Sequence, residues 1–179
     1  MATRLNISGE LTQELLAPGD NVKVSKISLT NVQKVSKCKV DLYIEKALTG
    51  KFYLLKGVEL PIGTTLVYDT PGFSNRVDDF GLYIKLTDGA TFALTAVNPG
   101  DGSQGINPTG TNTTVTGVGT SFLSELSVGD EILVTGETRT IATITSDTTA
   151  TVTANWGSDL ANDTTPDCNP TALVDVIIN

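Results

Sequence analysis

The residue types most used for chemistry are thinly represented in this chain. None of its 179 residues is a histidine, which removes the commonest general base, the usual activator of a nucleophile and the most frequent transition-metal ligand. Any catalysis would rest on carboxylates, Lys, Tyr or Ser/Thr. Each short motif that suggests such chemistry lacks its companions. "VDDFG" at 77–81 has the letters of a kinase metal-binding turn, but no glycine-rich loop, Val-Ala-Ile-Lys strand or His-Arg-Asp loop accompanies it. Asp78 and Asp79 therefore read as a solvated turn. "GDGSQG" at 100–105 offers oxygens to a calcium ion, yet it lacks the EF-hand ligand order that ends in Glu, and a plain linker is the better account. Ser121 in "GTSF" has neither a G-x-S-x-G elbow nor a histidine partner and reads as a helix N-cap. Carboxylates are plentiful but fall at turns, and nothing marks a glycosidase pair among them. Sequence alone thus assigns no catalytic residue, no cofactor site and no metal site.

Two further sets of residues invite a role. Cys38 and Cys168 stand far apart and outside any CxxC, which fits neither a disulfide framework nor a zinc site, and Cys38 reads as a small core residue. Trp156, Tyr43, Tyr53, Tyr68 and Tyr83 could build a sugar platform or a protein-contact hot spot, because flat amphipathic rings serve both. The plainer reading of Trp156 is that it closes a core. Asn6, Asn112 and Asn162 begin N-x-S/T sequons, which matter only in a glycosylating secretory pathway.

Charge narrows the partners. The net charge is −8, which opposes direct contact with nucleic acid or an anionic membrane surface, since both need clustered Lys and Arg. No apolar run approaches the length of a membrane span, and the opening residues lack a signal peptide's hydrophobic core, so the expectation is assembly in a cytoplasm. The charge is also unevenly placed. Residues 1–99 hold eleven Lys/Arg against ten Asp/Glu, whereas residues 100–179 hold ten acidic residues against Arg139 alone.

The elements that must carry these residues are strands. "KCKVDLYIE" alternates Cys38, Val40, Leu42 and Ile44 on one side with Lys37, Lys39, Asp41, Tyr43 and Glu45 on the other, the period of a half-buried strand. "LYIKL" and "TFALTAV" repeat the rule, and turn signals at "LTGK", "LPIGT", "DTPGF" and "TDGAT" separate the runs. Strands are expected near 22–31, 37–45, 52–60, 64–69, 81–87 and 90–97. "GELTQELLA" could form a short turn of helix.

The fold class expected is all-β, an antiparallel β-sandwich. "NPGDGSQGINPTGTN" and "GSDLANDTTPDCNP" are too rich in Gly, Pro and Asn for ladder interiors and read as boundaries, after which "TALVDVIIN" is an apolar strand that must pair with a distant sheet. The expected organisation is a sandwich of 1–99 plus 169–179, linkers at 100–104 and 161–168, and an inserted small β-module over 105–160. Residues 119–152 of that module contain nine threonines, which favour extended backbone and keep an outer face soluble without charge.

The series "GTSF…L.VGD.I.V.GETRTI..I.SDT…V" resembles a short β-module of tailed-bacteriophage virion proteins. "KISLTNVQKVSKCKVDLYIEKALTGKFYLLKGVELPIGTTLVYD", with the later "ALVDVII", is similar to small β-sandwich structural proteins of such phages. The resemblance implies a non-enzymatic virion protein, a capsid decoration (cement) protein that binds the head lattice as an oligomer, with the major capsid protein or neighbouring virion proteins as partners. The alternatives are a neck or tail adaptor or fibre-attachment protein and, in another class, a glycan- or receptor-binding module built on exposed rings around Trp156. Under the leading expectation the sandwich, which carries every lysine, faces the particle, with Lys23, Lys26, Lys34, Lys37 and Lys39 as the interaction residues.

Overall fold

The computed structural model describes residues 2–74, 80–96, 105–108, 110–158, 160 and 163–179. Asp78 and Asp79 of "VDDFG", residues 100–104 of "GDGSQG", which include the expected linker, and Asn162 lie outside the described residues. The chain is all-β, as its alternating patterns require, and divides into two compact units, Met1–Gly89 with Ala172–Asn179 and Ala90–Thr171.

The first unit opens with β1 (Thr3–Ser8), β2 (Gln13–Leu16), β3 (Lys23–Asn31) and β4 (Cys38–Lys46), followed by β5 (Gly50–Leu60), β6 (Thr65–Ser74) and β7 (Phe80–Thr87). The second unit contains β8 (Phe92–Ala93), β9 (Gly105–Pro108), β10 (Thr114–Val118), the single-turn helix α1 (Phe122–Glu125), β11 (Glu131–Val134), β12 (Glu137–Ser146), β13 (Thr149–Val152) and β14 (Asp167–Asn169). The chain then returns to the first unit as β15 (Leu173–Ile178).

The strands of the first unit form two four-stranded antiparallel sheets, in the orders β1-β15-β3-β6 and β2-β7-β4-β5. Its first strand pairs with its eighth, the second with the seventh, the third with the sixth and the fourth with the fifth, the nested pairing of a jelly roll. Alternation supplies the core between the sheets: Val40 and Leu42, Leu82, Ile84 and Leu86, and Val174, Val176 and Ile178 are all buried. On β3 a register shift between Val24 and Lys26 changes the phase, so that Val24 and then Ile27 and Leu29 point inward. The apolar terminal strand finds its partners here, between β1 and β3.

Three local expectations are corrected. "GELTQELLA" forms no helix; Gln13–Leu16 pairs with β7 as an edge strand, because Leu15 and Leu16 complete the core beneath that sheet. The strand expected at 90–97 shrinks to Phe92–Ala93 and pairs with β14, and Leu94 is buried in the core of the second unit. The compact units accordingly divide at Gly89/Ala90 and Thr171/Ala172, not at 99 and 169, and the segment expected as a linker at 161–168 runs into β14.

The second unit is a seven-stranded sheet in the order β8-β14-β11-β12-β13-β10-β9. Ile106 and Asp163 exchange two main-chain hydrogen bonds of 2.8 and 3.2 Å, which ties the β9 edge back to the segment leading into β14. The sheet thereby rolls around one core that includes Phe122, Leu126, Ile132, Val134, Ile141 and Trp156. Ser121 precedes α1 but makes no side-chain cap; Asp147 does that work, its carboxylate accepting from Leu123 N at 3.0 Å. Threonines 143, 145 and 116 face outward, and Thr143 and Thr151 share a hydroxyl hydrogen bond of 2.7 Å across β12 and β13. Among the described residues no helix is long and apolar enough to cross a membrane.

Candidate binding surface

Among the described residues, aromatic and charged side chains cluster on the outer face of the sheet β2-β7-β4-β5. Register places Glu14, Tyr83, Tyr43 and Tyr53 in one row across all four strands. Tyr43 lies between the other two rings, stacked on Tyr83 (centroids 5.7 Å apart, planes at 21°) and tilted against Tyr53 (5.4 Å, 52°). Such offset pairs contribute beyond the area they bury. Gly81 makes room for the row, since a Cβ there would stand 2.7 Å from the Tyr83 ring.

Cations lie over the rings. Lys51 Nζ lies 4.4 Å from the Tyr43 centroid and donates to its hydroxyl at 3.1 Å, while Lys56 Nζ lies 4.6 Å from the Tyr53 centroid. The bond to Tyr43 is the main reason the Lys51 ammonium is held above its ordinary pKa. The Tyr83 hydroxyl donates to Glu14 Oε2 at 3.0 Å, and partial burial, then that carboxylate, raises its pKa. On the opposite face of the sheet, where β4 ends, Phe52 meets Phe80 edge-on at 5.8 Å, with Lys46 5.9 Å from the Phe80 centroid. A cleft of about 530 Å³ opens beside them, lined by Pro18, Glu45, Lys46, Ala47 and Tyr83.

Sequence reasoning set Tyr43 on the outer side of β4, where it stands, but gave no reason for its being 1% exposed. The reason is lateral: its neighbours across the sheet and the Lys51 stem cover it. On this outer face Tyr53, 42% exposed, is the ring left open to a partner, whereas Phe52, its neighbour in the strand, points to the opposite face. This arrangement suits protein contact, with preformed aromatic anchors and fixed ammonium groups.

The five lysines expected to make contact are all exposed but do not share a face. Lys23 and Lys26 lie on β3 in the other sheet, Lys34 and Lys37 in the connection to β4, and Lys39 at the start of β4. Lys37 is engaged with Glu59 at 2.8 Å. Trp156 is 1% exposed inside the second unit, so it offers no ring for a sugar platform. Both cysteines are free and buried; burial, then Asp88, pushes the Cys38 thiol up to about 11, and burial, then Asp130, raises Cys168. Neither is a ready thiolate at neutral pH.

No protein-family model matches the chain, and no curated protein matches it in sequence. Among solved structures, the crystal structure of a serine protease of Aeromonas sobria aligns with it at 9% identity and a TM-score of 0.25, over 100% of this chain and 26% of that one. The chain spans about a quarter of that protein's length, and a likeness this slight carries no argument about fold or activity.

Proposed function

We propose that this chain is a non-enzymatic structural protein of a tailed-bacteriophage particle, a head decoration protein that binds the capsid lattice as an oligomer. The observation that carries the reading is the tyrosine and lysine face of the jelly roll, built from the "VDLYIE" and "GKFYLLK" segments that bear the resemblance to such proteins. Its open ring, Tyr53, and the ammonium groups of Lys51 and Lys56 supply the anchors of a contact surface, and the acidic second unit keeps decorated particles apart by mutual repulsion. Jelly rolls occur in viral capsid proteins and in lectins, so the fold favours the reading without specifying it.

The test is the copy number of the chain relative to the major capsid protein in purified particles, by quantitative mass spectrometry. Near-stoichiometric abundance is the expected result. A dozen or so copies would move the protein to the neck or tail, and its absence from particles would refute a virion role.

A further inference from the structure

The two sheets of the jelly roll leave four edge strands, β1 and β6 in one sheet and β2 and β5 in the other. Edges invite pairing with another chain, and proteins blunt them with bulges, proline, lysine or shortness. Three of these edges carry such devices. On the long edge β5, the pairing with β4 has two register shifts, Gly57 is at φ +60° and Lys51 and Lys56 stand along it. The pairing of β6 also shifts register, and Pro71 lies within the strand; β2 is only four residues long and shifts register too. β1 has none of this: Thr3–Ser8 pairs with β15 over six residues in unbroken register and contains neither proline nor glycine.

Which main-chain groups β1 leaves free follows from the ladder. Gly9 N donates to Ala172 O at 2.9 Å, so the alternation of an antiparallel pair turns the N–H and C=O of Ile7, Leu5 and Thr3 toward β15. Those of Arg4, Asn6 and Ser8 point away, three donors and three acceptors in a row. On the core side of the strand Ile7 is buried and Leu5 half-buried, whereas the side chains of Arg4, Asn6 and Ser8 are exposed on the outer side.

We infer that β1 pairs antiparallel with the β1 of a second copy about a two-fold axis at Asn6, joining two four-stranded sheets into one of eight. Within Thr3–Ser8 this register satisfies the most outward groups, since a centre at Leu5 or Ile7 also opposes outward residues but forms only four such bonds. A centre at Asn6 sets Arg4 opposite the partner's Ser8 and Asn6 opposite the partner's Asn6, which uses every outward main-chain group in six hydrogen bonds. It also sets Leu5 against the partner's Ile7 on the core side, extending the apolar layer. A centre at Arg4 would oppose two guanidinium groups, which is unfavourable. A centre at Ser8 would run past the end of the strand and lose most of the pairs. Because the contact is a strand edge and small, the dimer belongs to the weak, micromolar class. The inference stands apart from any role in a particle.

The test uses the full chain in solution. Wild type is expected to show a concentration-dependent monomer–dimer equilibrium by analytical ultracentrifugation. In the Asn6→Cys variant the two new cysteines would face each other at a Cα separation of about 5.5 Å, within disulfide reach, and mild oxidation is expected to yield a covalent dimer. Arg4→Cys would place its two cysteines about 14 Å apart along the strands and is expected to stay uncrosslinked. Asn6→Pro removes the central free donor while leaving the ladder to β15 intact, and is expected to weaken dimerisation about tenfold or more without loss of a cooperative thermal transition. Should the proline variant fail to fold, the two cysteine variants decide the matter, with native far-UV circular dichroism as the control. A wild type that stays monomeric, an Asn6→Cys protein that resists crosslinking, or Arg4→Cys crosslinking as readily would overturn the proposal.

Discussion

Two buried polar side chains hold segments that are distant in the chain. Asn31, the last residue of "LTN", is fully buried; its Nδ2 donates to Ser36 O at 3.0 Å and Leu60 O at 2.9 Å, and its Oδ1 accepts from Gln33 N at 2.9 Å. It fixes the β3–β4 connection against the end of β5. Asn31→Ala would strand two carbonyls and an N–H and is expected to cost roughly 2–4 kcal/mol, seen as a lower urea midpoint at unchanged slope. Asp130 of "SVGD" does the same in the second unit, where its buried carboxylate accepts from Ser127 N at 2.7 Å and Thr171 N at 2.9 Å. Asp130→Ala is expected to destabilise that unit by roughly 3–5 kcal/mol, measured as the loss of hydrogen-exchange protection in β11 and β14 ahead of the jelly roll. Neither residue could be singled out from sequence as buried, because Asn and Asp are ordinary turn residues and only the carbonyls and amides brought in from distant segments make them posts.

At the scale of elements, the ends of the first unit's two segments are held together within that unit. Asp88 Oδ1 accepts from Ala172 N at 2.6 Å, and Ala172 O accepts from Gly9 N at 2.9 Å. Replacing residues 90–171 by a few Gly and Ser residues is therefore expected to leave a cooperatively folding eight-stranded jelly roll, and under the proposed function one that still binds particles. A non-cooperative melt would refute the first expectation, and loss of particle binding would refute the assignment of the contact face to this unit. Asp88 also sets a pH dependence. Its burial, then the nearby Glu10, raises its pKa, while the Ala172 bond pulls the other way. A carboxyl whose folded pKa is raised takes up its proton first in the folded state, so its contribution to stability increases as pH falls through the range just above ordinary carboxylates. Asp88→Asn keeps the acceptor and removes the charge; thermal melts across weakly acidic pH are expected to show this rise in wild type and its loss in the variant.

For the molecule as a whole, charge is partitioned with the units. Met1–Gly89 with Ala172–Asn179 contains eleven Lys/Arg and eleven Asp/Glu, and Ala90–Thr171 contains nine Asp/Glu and Arg139, so the whole net charge of −8 belongs to the second unit. The intact chain is expected to bind an anion exchanger firmly at neutral pH and the excised jelly roll weakly; equal retention would refute the partition as a surface property. Sequence by itself determined the strand class, the inward residues of β4 and β7, the core position of Trp156 and the need of "ALVDVII" for a distant sheet. Each of these depends on period, side-chain size or an unmet hydrogen-bonding demand, which are local properties. The tertiary structure alone decided that Thr3–Leu16 forms two edge strands, that Phe92–Ala93 belongs to the second unit and that Tyr43 disappears between Tyr53, Tyr83 and Lys51. Those outcomes depend on which segments far apart in the chain lie side by side, and nested pairing of first strand with last leaves no trace in any short window of sequence.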